Sequence, residues 1–188
     1  MKRLTRLLDR LEETLIVALM AVATLVIFIA VAHRYASTLP LLQDALAEIH
    51  LGWAQELCIY LFVWMAKFGA AYGVRTGIHV GVDVMVRALK PAARKRVILF
   101  GLLCGALFTA VIGTLGAVFV WDIAHTSSVS PDLEIPKWIV YLAIPCGSYL
   151  MCFRFLQVAW RFFRTGELPA HDPAAVEGLD PPAAGQRR

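Results

Sequence analysis

The sequence predicts an all-α integral membrane protein: four transmembrane helices, with an amphipathic cytoplasmic arm helix between helices two and three. Three observations predict it. Leu15 to Ala32 and Val97 to Trp121 contain no Asp, Glu, Lys or Arg, and uncharged runs near 20 residues match the hydrocarbon thickness of a bilayer. The chain of 188 residues is 59% hydrophobic and only 17% charged, with a mean hydropathy of +0.66; soluble domains carry about 25% charged residues. The basic residues also fall in blocks between the apolar runs. The net charge of +4 is therefore read loop by loop against the membrane, not as a nucleic-acid surface.

The first span is placed at 14–32. Lys2, Arg3, Arg6 and Arg10 ahead of it, and Ala30, Val31 and Ala32 at its end, imitate a signal peptide. The apolar run is longer than the roughly 7–15 residues of a signal h-region, and Asp9, Glu12 and Glu13 interrupt the basic start, so it reads as an uncleaved first helix. Residues 41–51 place Leu42, Leu46 and Ile49 on one helical face, a short amphipathic helix at the outer surface. The second span is placed at 53–74.

Residues 78–89 are ambiguous by period. Val80, Val82, Val84 and Val86 alternate as in a strand, while Ile78, Val82, Met85 and Leu89 form a helical stripe. A lone strand here has no partner for its edge. The preferred reading is a helix on the membrane surface, ending at Lys90 and Pro91. The third span is placed at 97–121. Residues 122–137, with Ser127, Ser128, Ser130, Pro131 and Pro136, read as a loop that starts the fourth span at 138–160. Pro145 and Gly147 are expected to bend or loosen that helix. Residues 1–165 make one membrane domain, and residues 166–188, rich in Pro, Ala and Gly, read as a disordered cytoplasmic tail.

Orientation follows from the basic residues. Of 18 Lys and Arg, only Arg34 and Lys137 flank the outer ends and Lys67 lies within a span; the rest precede helix one, join helices two and three, or close helix four. The positive-inside rule makes that side, and both termini, cytoplasmic. Trp53, Trp121, Trp138 and Trp160 sit at helix ends, as in an interfacial aromatic belt.

Helix two carries the informative polar residues. At 100° per residue, Trp53, Glu56, Tyr60, Trp64 and Lys67 fall near one stripe; Glu56 and Lys67 are about 16 Å apart in height, too far to pair within the helix. Ionisable residues inside a membrane usually face a bundle interior, a cavity or another protein. The stripe reads as a contact aimed at a partner or at lipid; the alternative is that both side chains snorkel. Gly69, Gly73, Gly101 and Gly105 are small-residue packing positions.

Catalytic chemistry finds little support. Cys58, Cys104, Cys146 and Cys152 all lie in apolar segments without a C-x-x-C pair, and read as buried hydrophobes. His33, His50, His79, His125 and His171 avoid the middle of the membrane and have no i, i+3 or i, i+4 partner for a metal. A haem-anchoring bundle places histidines inside its spans. No phosphate-cradling glycine loop is present. The residues describe a membrane subunit without a catalytic centre, cofactor or metal.

Residues 53–83, WAQELCIYLFVWMAKFGAAYGVRTGIHVGVD, resemble the signature of the small permease subunit of TRAP transporters, the DctQ family. The matching positions are Trp53, Glu56, Trp64, Gly69 to Ala71, Arg75, His79 and Asp83. IPKWIVYLAIPCG at 135–147 is similar to the family's entry to its last helix. Position 67 departs from the pattern, being apolar in most of the family; lysine there looks most like the C4-dicarboxylate branch. The resemblance implies a bacterial inner-membrane system of three parts. A periplasmic protein captures an organic acid, a large permease carries it on a sodium gradient, and the small subunit packs beside the permease scaffold. It implies that Glu56, Tyr60, Trp64 and Lys67 contact the large subunit or membrane lipids, and that Arg75, His79 and Asp83 fix the cytoplasmic corner and arm, with Asp83 a partner for Arg75 or Arg87. Two other readings stay open on the residues alone: a membrane anchor of a redox complex, and a stand-alone small exporter.

Overall fold

A computed structural model describes residues 2–40, 42–46, 48–77 and 90–166, with side chains left undescribed at 2–6, 43, 91 and 92. The elements are α1 (Lys2–Ala36), α2 (Gln43–Leu46), α3 (Gly52–Thr76), α4 (Pro91–Ala124), α5 (Lys137–Tyr141) and α6 (Ala143–Thr165). Among the described residues there is no strand, only an isolated bridge between Val129 and Pro136. Four stretches are long and apolar enough to cross a membrane: Leu7–Ala36, Gly52–Thr76, Ala93–Ala124 and Lys137–Thr165. Each contains the corresponding span read from the sequence. The arm at 78–89, with His79 and Asp83, and the tail from 167 lie outside the described residues.

The helices outrun the apolar runs because helical bonding continues into the charged flanks. At 1.5 Å per residue, the 35 residues of α1 span about 52 Å against a core of about 30 Å. Its first turns, with Asp9, Glu12 and Glu13, therefore stand at the membrane edge. α3 stops where Gly77 takes a left-handed φ of 87° and its N–H bonds back to the Gly73 carbonyl, a conformation glycine adopts without a Cβ clash. α4 starts with proline at its first position, where the missing N–H costs nothing. Among the described residues, the segment after Ala36 holds the single turn α2, shorter than the helix expected over 41–51.

The fourth span is broken between α5 and α6. Pro145 has no N–H to give the Tyr141 carbonyl, and its ring crowds that carbonyl; the helix is interrupted at Leu142. Bonds from Leu142 N–H to Trp138 (3.0 Å) and from Cys146 N–H to Leu142 (3.1 Å) carry the chain across. The interruption thus falls one turn before Pro145, and the backbone of Leu142 stays in the right-handed helical region.

The four spans pack in a row, α1 on α3, α3 on α6 and α6 on α4. Lipid makes this possible, since an apolar flank facing acyl chains has nothing to gain by folding inward. α1, at one end, leaves nearly all its apolar surface open. Small residues set the close contacts. Ala23 and Ala54 are buried, and the Cys58 thiol donates to the Ala23 carbonyl at 3.3 Å, joining α1 to α3. On α4, Gly105, Gly113 and Gly116 admit Phe155, Tyr149 and Ile144 of α6. Toward the basic end of α4 and α6, Ile98, Leu102, Val158, Ala159 and Phe162 form the apolar core, flanked by Leu99 and Phe155.

Candidate functional site

Three polar features interrupt this apolar row, one near each surface and one between them. The first is Glu56 on the opening turns of α3. Its side chain is buried, the residue only 8% exposed. One carboxylate oxygen accepts the backbone N–H groups of Asp132 and Leu133, each at 2.9 Å. The other accepts the Tyr60 hydroxyl one turn along. Those two N–H groups belong to the tight turn ahead of α5, where Glu134 sits at φ 53°. Ser130 closes the same turn: its N–H donates to Ile135 O at 2.9 Å, and its hydroxyl accepts Ile135 N–H at 3.3 Å. Glu56 is thus the acceptor that fixes the loop before α5 onto α3, by charge-assisted bonds of the stronger kind.

The second feature lies at the other surface. Arg154 of α6 is fully buried, at 0% exposure. Its Nε donates to Glu12 at 2.9 Å, one terminal nitrogen to Gln157 at 2.7 Å and the other to Asp9 at 2.7 Å, and that last nitrogen also lies in ion-pair contact with Glu12 at 2.8 Å. Asp9 also receives Arg75 of α3 at 2.9 Å, and Glu13 pairs with the same arginine. Arg75 lies over the Tyr72 ring, 4.8 Å from its centroid. Two arginines from α3 and α6 and three carboxylates from α1 therefore form one network that staples three helices together. Among the described residues, one Glu12 oxygen in it is buried without a hydrogen bond.

Between these lies Lys67, half-buried on α3. Its Cβ lies 2.5 Å from where a Cβ on Gly147 of α6 would stand, and its Cα 3.3 Å. The glycine is therefore what lets the lysine stem enter the α3–α6 contact.

The predicted stripe is accordingly divided. Glu56 turns to the loop before α5, Tyr60 serves Glu56, and the Lys67 stem meets α6. Trp64 stacks on Phe68 with ring centroids 5.8 Å apart, and Trp53 stays exposed at the start of α3. Arg75 is brought to Asp9 and Glu13, acids of α1; its expected partner Asp83 lies outside the described residues, as does His79.

Sequence reasoning missed Asp9, Glu12, Glu13, Arg154 and Gln157 as members of one site. The signal was there. Arg154 is the only charge between Trp138 and Trp160, about 9 Å deeper than that tryptophan by helical rise. Asp9, Glu12 and Glu13 recur at the i, i+3, i+4 spacing of one helix face.

Chemically, these groups are engaged in holding helices to one another. Among the described residues no group of three or more His, Cys, Asp and Glu side chains is placed to hold a metal. The family model of the tripartite ATP-independent periplasmic transporters, DctQ component, matches residues 23–165. The chain is 55% identical over 195 residues to the C4-dicarboxylate TRAP transporter small permease protein DctQ of Rhodobacter capsulatus, covering 93% of this chain and 86% of that one. It is 30% identical over 189 residues to the protein of the same name from Vibrio cholerae serotype O1 (strain ATCC 39315 / El Tor Inaba N16961), covering 88% and 76%.

Proposed function

The chain belongs to the DctQ component family of the tripartite ATP-independent periplasmic transporters, and from that premise we propose the partners, cargo and orientation with which it works. It is a multi-pass TRAP small permease subunit, a transporter component and not an enzyme. Its partners are a large permease subunit that carries the substrate and, through that complex, a periplasmic substrate-binding protein. Its cargo class is the C4-dicarboxylates, the class in the names of both relatives. Uptake is coupled to sodium and takes place in the bacterial inner membrane, with both termini cytoplasmic.

The observation that carries the scaffold reading is where the charges set among the helices go. Glu56, Arg75 and Arg154 all bond to groups of the same chain and tie separate segments together. A substrate or ion path needs polar groups that change partners across the membrane; these are occupied in cross-linking α1, α3, α6 and the outer loop. Such a chain supplies a rigid, widened platform for a moving partner. Orientation is supported by the basic residues gathered at the Arg75 and Arg164 ends.

Two experiments test this. A tagged copy in mild detergent is expected to retain the large permease subunit; recovery of the chain alone would sink the subunit reading. Single cysteines at Ser127 and Gly166, in a background without the native cysteines, are expected to label from the periplasmic and cytoplasmic sides respectively. The opposite pattern would reverse the topology.

A further inference from the structure

We propose that Lys67 forms an ion pair, inside the bilayer, with a carboxylate on a membrane helix of the large permease subunit. The inference rests on the subunit reading above. It begins from an imbalance. The other charged side chains set among the helices meet counter-groups within the chain: buried Glu56 has two N–H groups and a hydroxyl, and half-buried Arg75 and buried Arg154 have Asp9, Glu12 and Glu13. Among the described residues, Lys67 has neither a carboxylate nor a hydrogen-bond acceptor.

Depth argues against simple hydration. Arg75 marks the polar network near the surface, and Lys67 lies eight residues deeper on the same helix, about 12 Å by helical rise. The four-carbon stem is itself engaged, its Cα and Cβ set against Gly147. An ammonium at this depth faces hydrocarbon unless a counter-charge comes to it. Nothing in the α3–α6 contact supplies one, and the side chain remains half open. Charge complementarity therefore asks for an anion from outside the chain. A phosphate belongs to the headgroup layer, above this depth. A carboxylate carried on a neighbouring transmembrane helix can meet the lysine where it is, and the large subunit is the membrane partner that the functional reading provides.

The substitution that isolates the charge is Lys67→Met, which keeps an unbranched stem against Gly147. In a co-purification with the large subunit, Lys67→Met is expected to lower the amount retained about tenfold, the effect of a single charged contact. Lys67→Arg is expected to stay close to wild type. Thermal unfolding of the isolated Lys67→Met chain is expected to match wild type, which separates loss of the pair from loss of fold. In the wild-type complex, dicyclohexylcarbodiimide is expected to couple Lys67 to an Asp or Glu of the large subunit as an amide, identified by mass spectrometry. Full retention of the large subunit by Lys67→Met overturns the pair and leaves the subunit reading intact. Loss of bound phospholipid from Lys67→Met, with the permease retained, assigns the lysine to a headgroup instead and also overturns it. If wild type itself captures no large subunit, the functional reading fails and the pair with it.

Discussion

Removing the Arg154 guanidinium while keeping its bulk, as in Arg154→Met, tests whether the network of Arg154, Arg75, Asp9, Glu12 and Glu13 holds α1 in the row. Asp9 keeps Arg75 at 2.9 Å, so the damage concentrates on Glu12. Both its contacts from Arg154 are lost, and its other oxygen already has no partner among the described residues. Leaving one member of a buried pair uncompensated costs about 3–5 kcal/mol. At about 1.4 kcal/mol per decade, the ratio of closed to open forms falls by roughly two to three and a half powers of ten. Replacing both partners is different, because apolar substitutes for a buried ion pair are often neutral. Arg154→Met with Glu12→Leu is therefore expected to recover to within about 1 kcal/mol of wild type. Cys58 provides the readout. Its thiol is buried against the Ala23 carbonyl of α1, so detachment of α1 exposes it. With Cys104, Cys146 and Cys152 replaced by alanine, maleimide labelling of Cys58 in detergent should accelerate strongly in the single variant and return toward wild type in the double. Unchanged labelling in Arg154→Met refutes the staple. A double variant as open as the single refutes the assignment of the cost to Glu12.

Other consequences follow from the same geometry. Glu56→Leu strips the acceptor from the Asp132 and Leu133 N–H groups, so protease cleavage between 126 and 136 should increase. Glu56→Gln keeps an oxygen for both and should leave cleavage near the wild-type rate. Gly147→Val forces a Cβ to within 2.5 Å of the Lys67 Cβ; α3 and α6 must separate, at about 1–3 kcal/mol, visible as a lower Tm and weaker assembly with the large subunit. Gly69→Ala, where an added Cβ meets nothing within 4 Å, serves as the control and should leave the Tm unchanged.

The spans were legible because bilayer thickness writes itself into the length of an uncharged run, and Gly77, Pro91 and Pro145 announce a helix end, a helix start and a break by local sterics alone. The order of packing was not legible. In lipid an apolar face carries no mark of which neighbour it meets, so nothing in the sequence says that α6 lies between α3 and α4. The polar sites were half legible. Glu56 and Lys67 stood out as charges in an apolar helix, yet the partners of Glu56 are backbone N–H groups 76 and 77 residues away, which no side-chain pattern encodes. Arg154 was counted among the cytoplasmic flank. Only its burial beside the acids of α1 shows that its charge serves the fold and not the orientation signal. The glycine that meets Lys67 read as a kink residue, because its role depends on a contact between helices.

The central claim is that this chain holds a transporter together without itself transporting. Sodium-driven uptake of a labelled C4-dicarboxylate into proteoliposomes tests it most directly, comparing this chain alone, the large subunit with its binding protein, and all three. The account predicts uptake only with all three present. Uptake by this chain alone, or full uptake without it, would contradict the account.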